Sequence, residues 1–271
     1  MFLSNSIPNP VLLNLDFIKI YWYGFLITLA LVLGFLIFYK LIRKLDFKKD
    51  DIFNLAFWLI IWGVIGGRLY HIFSEITYYF KYPLEIFYIW NGGMGIYGSI
   101  LAGILVIYFF SKKYKLNFLK ILDFLVPGLA LAQAIGRWGN YFNQELYGLP
   151  TNLPWKVIID FEKRVVGFKN FDFFHPTFLY ESLFCLILFL VLFFLIKKNF
   201  FKQKFGFVFL LYIFFYSIER FFVEFLRIDY QPEFLSLRLG HWTSLVLVIL
   251  SIIFFFILKK WYNKSTKTLK Q

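Results

Sequence analysis

Apolar and polar residues alternate along this chain in long blocks rather than within single helical turns. Apolar runs near residues 17–39, 52–73, 86–110, 119–138, 176–196, 205–227 and 241–258 are each close to the roughly 20 residues needed to cross a bilayer core. Leu183–Ile196 has no polar face, and Leu245–Leu258 has only Ser251, so neither reads as the amphipathic helix of a soluble protein. The pattern predicts an all-α polytopic membrane protein of about seven transmembrane helices. The third run is broken by Asn91, Gly92, Gly93, Gly95, Gly98 and Gly103. Non-helical backbone at that depth survives only where protein or a cavity satisfies it. No basic region precedes the first run and no small-residue cleavage site follows it, so that span reads as retained.

The polar remainder is small. Residues 140–175 form the largest polar region, too short for a core of its own, so residues 1–271 read as one membrane domain. This region holds Pro150, Pro154 and Gly167. It also holds the alternating stretch Trp155–Asp160, which can pair as a small hairpin. A second loop near 74–85 is aromatic, with Tyr78, Tyr79, Tyr82 and Trp90 in or near it, as suits a membrane–water interface. A third, near 228–240, carries Asp229, Pro232, Glu233 and Arg238.

Composition agrees: 60% of residues are hydrophobic and 24% aromatic, above the roughly 45–50% apolar content of soluble domains. The net charge of +13 is not spread evenly, and its placement decides the topology. Most of the basic residues fall in four segments: Lys40, Arg43, Lys44, Lys48 and Lys49; Lys112, Lys113, Lys115 and Lys120; Lys197, Lys198, Lys202 and Lys204; and Lys259, Lys260, Lys264, Lys267 and Lys270. With seven spans all four lie on one side, which the positive-inside rule makes cytoplasmic. The N-terminus is then outside, the C-terminus inside and the 140–175 segment extracytoplasmic. The basic excess reports topology and contact with anionic membrane lipids, and no nucleic-acid partner is implied. Cys185 is alone within an apolar run, and His71, His175 and His241 are scattered, so no metal-ligand spacing is present.

The remaining charges collect toward the outer half of the spans. Arg137 closes the fourth; His175, Tyr180 and Glu181 open the fifth. Tyr216, Arg220, Glu224 and Arg227, at i, i+4, i+8 and i+11, share one stripe of the sixth. There Glu224 can neutralise two arginines as a purely structural device. Arg68 follows Gly66 and Gly67 near the outer end of the second span, while Asp123 stands apart toward the inner end of the fourth. Charges at membrane depth are expensive and commonly face a cavity where they act. Two or more arginines can clamp a phosphate. Glu145, Glu181 or Glu224 can orient them or accept protons, and Asn140 and Asn143 can hold a polar head group. Such a cavity fits an anionic phospholipid head, and equally a channel or transporter for an anion.

The motifs separate these readings. Gly136-Arg-Trp-Gly-Asn-Tyr-Phe-Asn-Gln-Glu-Leu-Tyr-Gly148 closely resembles the signature of bacterial prolipoprotein diacylglyceryl transferases, and the likeness extends over nearly the whole chain. Tyr21–Gly24, Gly66-Gly67-Arg68, Asp123-Phe124 to Pro127, His175-Pro-Thr-Phe-Leu-Tyr-Glu181 and Arg220-x-x-x-Glu224-x-x-Arg227 resemble further motifs of that family. The resemblance implies an enzyme of the bacterial cytoplasmic membrane. It would move the diacylglyceryl group of phosphatidylglycerol to the lipobox cysteine of a prolipoprotein signal peptide, with no separate cofactor. It also implies Arg137 and Arg220 as the grip on the phosphate. Glu145 and Tyr97 join them as catalytic candidates. Tyr23, Arg68, Asn140, Asn143, Gly148, Glu181, Glu224 and Arg227 would shape substrate binding.

One motif departs. The family's third-span pattern, Gly-Gly-Met-x-x-His-Gly-Gly, here reads Gly92-Gly-Met-Gly-Ile-Tyr-Gly-Ser99, with Tyr97 in place of a histidine often given a base role. A phenol with a pKa of about 10 is a poor base at neutral pH. The proton acceptor is thus open, and so is a weakly active or inactive lipid-binding relative. At the start of the seventh run His241 follows Gly240 where glutamine is common, a position that could supply a base or merely an interface residue. An anion transporter is disfavoured by the absence of repeats or paired broken helices.

Overall fold

The computed structural model describes residues 3, 6–15, 17–43, 47–202 and 204–268; Lys44 and Lys270 lie outside them, as does the side chain of Lys267. In chain order the elements are β1 (Val11–Leu15), β2 (Ile18–Tyr21), α1 (Trp22–Ile42), α2 (Lys49–Ser74), α3 (Ile76–Lys81), α4 (Ile96–Lys113), α5 (Phe118–Asn143), β3 (Val157–Ile158), β4 (Phe173–Phe174), α6 (Thr177–Lys197), α7 (Phe207–Glu224), β5 (Glu233–Phe234), β6 (Leu237–Arg238) and α8 (Leu239–Thr268). They form two compact units, Met1–Phe38 with Asp123–Gln271, and Tyr39–Leu122.

Six helices, α1, α2, α4, α5, α6 and α8, are long and apolar enough to cross a membrane, and the protein is an all-α polytopic membrane protein. Leu31, Phe109, Ile187 and Phe256 each leave more than half their surface exposed, as lipid-facing side chains do. The remaining expected span, the sixth (205–227), corresponds to α7, an 18-residue helix that carries Glu219, Arg220 and Glu224. Several boundaries differ from the hydropathy reading: α1 starts only at Trp22, after β2, α8 runs on to Thr268, and three further differences bear on the site. The third span does not begin at 86: Pro83–Phe87 and Ile89–Asn91 are 3-10 turns, Gly92 and Gly93 take φ of 86° and 72°, and α4 starts only at Ile96. Glycine reaches that backbone region without a Cβ clash. Conversely, α5 runs on to Asn143, five residues beyond the apolar run. Finally, α7 stops at Glu224, so Arg227 lies past the helix and off the expected stripe.

Helix contacts inside each unit depend on missing side chains. A Cβ on Gly34 of α1 would meet the Gly128 carbonyl oxygen of α5 at 2.8 Å. In the second unit a Cβ on Gly66 of α2 would come within 2.5 Å of the Gly98 carbonyl oxygen of α4. Small residues at such crossings let backbones approach and gain packing where lipid offers no hydrophobic drive. In the first unit α7 packs on α6 and α8. Val126, Ala130, Leu188, Leu192, Val208 and Tyr212 of α5, α6 and α7 form its buried core. Trp138 Nε1 donates to Ser182 Oγ at 3.1 Å, and that hydroxyl donates to the Ala134 carbonyl at 2.7 Å, tying α6 to α5. The 140–175 segment does contain the expected pairing, reduced to β3 against β4, over a cluster of Tyr147, Val157, Ile159, Phe174 and Phe178. The β1–β2 hairpin before α1 had no clear signal in the sequence.

Asp123 is explained by this packing. The Gly206 and Phe209 amides at the start of α7 donate to its two carboxylate oxygens, both at 2.7 Å. Gly206 itself takes a φ of 97°. A carboxylate from α5 thus satisfies orphan donors at the positive end of α7. Asp123→Ala is expected to lower stability by about 1–2 kcal/mol, the usual loss of a helix cap, read as an earlier denaturation midpoint in detergent micelles; an unchanged midpoint would remove the capping role.

Candidate active site

The first unit carries a continuous ladder of alternating charge. Arg137 of α5 pairs with Glu181 at the start of α6. Arg220 of α7 reaches the other oxygen of Glu181 at 3.8 Å and pairs with Glu224 one turn on. Glu224 also receives Arg238 of β6 at 3.0 Å. Arg238 further donates to the Arg227 carbonyl at 2.7 Å and lies 3.4 Å from Asp229, which Arg227 holds at 2.7 and 3.0 Å. Glu181 and Glu224 are 1% and 0% exposed, whereas Arg137 and Arg220 retain 19% and 17%. The carboxylates are therefore sealed in, while the two arginine side chains that share Glu181 stay partly exposed, although the Arg220 Nη1 that faces Glu181 is itself buried. Glu224 does neutralise two arginines, as the stripe allowed, but the second is Arg238 rather than Arg227.

The local backbone explains these positions. The β5–β6 turn places Leu235 and Ser236 at φ of 48° and 59°, the geometry of a tight hairpin. It returns Arg238 to the end of α7. Gly240 then lies directly against the Glu224 carboxyl carbon, where a Cβ would come within 2.7 Å.

A second polar group surrounds the end of α5. Gln144 and Leu146 both take positive φ, 54° and 56°, on either side of Glu145. Such non-glycine conformations are sparsely populated and concentrate at functional turns. The turn brings Glu145 back onto α5, where Asn140 Nδ2 donates to its Oε1 at 2.9 Å and Asn143 Nδ2 at 3.4 Å. Tyr23 of α1 lies over Gly139, where a Cβ would sit 2.7 Å from its ring, and within electrostatic reach of Glu145 and Arg137. Gly148 bridges to Arg227 and donates its amide to the His175 carbonyl at 2.9 Å. A Cβ on Gly148 would meet the Leu226 carbonyl oxygen at 2.9 Å, which is the physical demand for glycine there. Thus the signature joins the end of α5, the start of α6 and the end of α7. His175 approaches Tyr180 Oη at 3.1 Å, and burial pushes its imidazole below its ordinary pKa.

Two expected residues belong to the second unit. Arg68 is buried, and its guanidinium donates to the carbonyls of Glu85, Ile86 (3.0 Å), Gly92 (2.8 Å) and Gly93 (3.0 Å). Those bonds hold the irregular backbone before α4, so its donors are engaged by the protein itself. Tyr97 opens α4, is half exposed, and has its ring 5.8 Å from that of Tyr70. His71 Nδ1 lies 3.1 Å from Tyr79 Oη, close beside Gly93.

Two residues of this region are not singled out by the sequence, Arg238 and Glu219, and a third, His241, is read there as either a base or an interface residue. Arg238 was noted only as a loop residue, and nothing in its spacing joins it to Glu224. Glu219, adjacent to Arg220, falls off the stripe but is 7% exposed inside the unit. His241 is not at an interface: it is 3% exposed and packed against Phe225 at 4.3 Å and Phe221 at 5.3 Å.

Comparison with known proteins bears on this arrangement. Residues 10–257 match the family described as prolipoprotein diacylglyceryl transferase. The chain belongs to that family. A relative from Fervidobacterium nodosum, named phosphatidylglycerol–prolipoprotein diacylglyceryl transferase, is 38% identical over 263 residues, 97% of this chain and 87% of its own. Relatives of the same name from Synechococcus elongatus (38% identical, 91% and 86% covered) and Acaryochloris marina (42% identical, 86% and 82% covered) are similar to it as well. The ladder and the Glu145 turn both lie inside the matched region of this transferase family.

The ladder also has a pH limit at its outlying end. Burial alone would raise Asp229, but its hydrogen bonds to Arg227 and the charges of Arg227 and Arg238 hold its carboxyl below the ordinary value. A depressed folded pKa gives stability that is present above the unfolded value of about 3.9 and lost as pH falls through the folded one. The stability gap between wild type and Asp229→Asn is therefore expected to be full near neutral pH and to close below about pH 4, measured as the difference in melting temperature; a gap independent of pH would contradict the pairing.

Proposed function

We propose that this chain, acting as one catalytic domain in the bacterial cytoplasmic membrane, transfers the diacylglyceryl group of phosphatidylglycerol to the lipobox cysteine of a prolipoprotein signal peptide, the first step of lipoprotein maturation. The topology that supports this has seven spans, α7 included, with the N-terminus outside and the C-terminus cytoplasmic, as the basic segments require. The 140–175 segment then faces the side on which secreted precursors emerge. The cysteine sulfur attacks the glyceryl carbon, a C–S bond forms, the C–O bond to phosphate breaks, and the thiol proton is given up. The products are the thioether and glycerol phosphate.

The observation that carries the reading is the Arg137–Glu181–Arg220 junction. Two guanidiniums converge on one sealed carboxylate from side chains that stay partly exposed, and the Arg220 Nη1 facing it is a buried donor without a hydrogen-bond partner among the described residues. A phosphodiester presents a single charge, and its leaving group acquires a second as the C–O bond breaks. Donors already fixed at that position stabilise the transition state more than the ground state. Glu181 and Glu224 orient the arginines, and Arg227 with Arg238 anchors the far end. Asn140, Asn143, Glu145 and Tyr23 line the approach from α1 and α5, and Gly148 lets the strands close. Arg68 shapes the loop that carries Gly92 and Gly93 into Tyr97.

Purified protein with phosphatidylglycerol and a lipobox peptide tests this directly: diacylglyceryl should appear on the cysteine, and no transfer under conditions that support a relative would sink the proposal. Arg137→Ala and Arg220→Ala are each expected to reduce transfer at least roughly 100-fold while membrane insertion is retained; full activity in both would remove the phosphate grip. Tyr97→Phe separates roles at the departing motif. Activity reduced by about tenfold or more marks a working hydroxyl, and an unchanged rate excludes one.

A further inference from the structure

The mechanism leaves one buried acid unused. Glu219 precedes Arg220 on α7, is 7% exposed, and neither of its carboxylate oxygens has a hydrogen-bond partner among the described residues. Its surroundings come from three helices: Arg137 on α5, Glu181 and Cys185 on α6, and Arg220 on its own helix, with Arg227 beyond. Ser217, two residues earlier, is also buried with a hydroxyl lacking a partner. Every other carboxylate of the ladder is paired with an arginine. Buried acceptors without donors are rare in native proteins and call for an explanation.

We propose that Glu219 is a specificity-determining residue for the lipid donor, accepting hydrogen bonds from the hydroxyls of the head-group glycerol. The inference rests on the reading that Arg137 and Arg220 hold the phosphate. Once phosphate occupies that pair, the glycerol hydroxyls lie only one or two C–C bonds beyond it, and Glu219, which lies within electrostatic reach of both Arg137 and Arg220, is an unpaired acceptor on that side. A carboxyl group keeps acceptor lone pairs whether ionised or protonated, so it rewards a head group that brings O–H groups. A head group without them leaves the buried acceptor unpaired. A site built to bond a hydroxyl discriminates strongly against an analogue that lacks it.

The test compares two donors with matched acyl chains, phosphatidylglycerol and phosphatidylpropanol, whose head group lacks hydroxyls, using the full chain in detergent and a lipobox peptide. Wild type is expected to favour phosphatidylglycerol by about tenfold or more in kcat/KM. Glu219→Leu should bring that ratio to near one by raising KM for phosphatidylglycerol, with kcat for phosphatidylpropanol within about threefold of wild type. Glu219→Gln, which keeps an acceptor, should retain part of the preference; if the leucine variant does not insert, a narrowing of at least about threefold in the glutamine variant decides the question. No preference in wild type, a preference that survives in Glu219→Leu, or an equal loss on both donors would each overturn the assignment; the last would mark a charge-balancing or packing role. Failure of the phosphate-grip reading shows separately, as Arg137→Ala retaining transfer from either donor.

Discussion

An arginine and a carboxylate cannot be placed singly in a bilayer interior, and the first unit is organised around that restriction. A charge at the centre of a membrane helix costs about 2.5–3.5 kcal/mol even on the lenient scale of insertion experiments. Glu181 and Glu224 are sealed from solvent, and each lies between two arginines. Their partners come from α5, α7 and the hairpin after α7, so the charges can be satisfied only if those elements meet. Removing one member strands the others: breaking a buried pair commonly costs about 3–5 kcal/mol, more than the pair contributes over an apolar substitute. The ladder is therefore a requirement on the fold more than a source of stability.

The same restriction explains how binding capacity is kept. A network in which every charge was fully enclosed would be inert toward an anion. Here the carboxylates are sealed while the side chains of Arg137 and Arg220, which share Glu181, stay partly exposed. Low dielectric strengthens their attraction for whatever charge meets them. The Glu145 turn adds a further acid, whose Oε1 accepts from the carboxamides of Asn140 and Asn143.

In the second unit the problem is uncharged but physically related. The backbone between α3 and α4 is irregular, and its carbonyls need donors. Arg68 supplies them from α2, meeting the carbonyls of Glu85, Ile86, Gly92 and Gly93 with one side chain. The close Gly66–Gly98 approach brings α2 and α4 together, and the Gly95 amide donates to the Gly67 carbonyl at 2.9 Å in the same region. A residue type that elsewhere in the chain points to anion binding here satisfies a loop, so residue identity alone does not assign the role of an arginine.

Much was already determined by the order of residues. Hydropathy depends on composition over about 20 residues, so six long apolar helices and the place of a seventh could be read without knowing what touches what. The spacing of Arg220 and Glu224 marked their ion pair, because i and i+4 neighbours meet on any helix. The run from Arg137 to Gly148 likewise identified the family. What the sequence could not determine depended on contacts between residues distant along the chain. Arg238 joins Glu224 only because a two-residue turn reverses the chain. Asp123 caps a helix 83 positions away, and Arg68 finds its acceptors in a loop that hydropathy had assigned to a span. The buried, unpaired state of Glu219 is also set by α5 and α6 closing around it. Local pattern selects elements through short-range periodicity, whereas the partner of a buried charge is chosen by packing, and that exists only once the helices have come together.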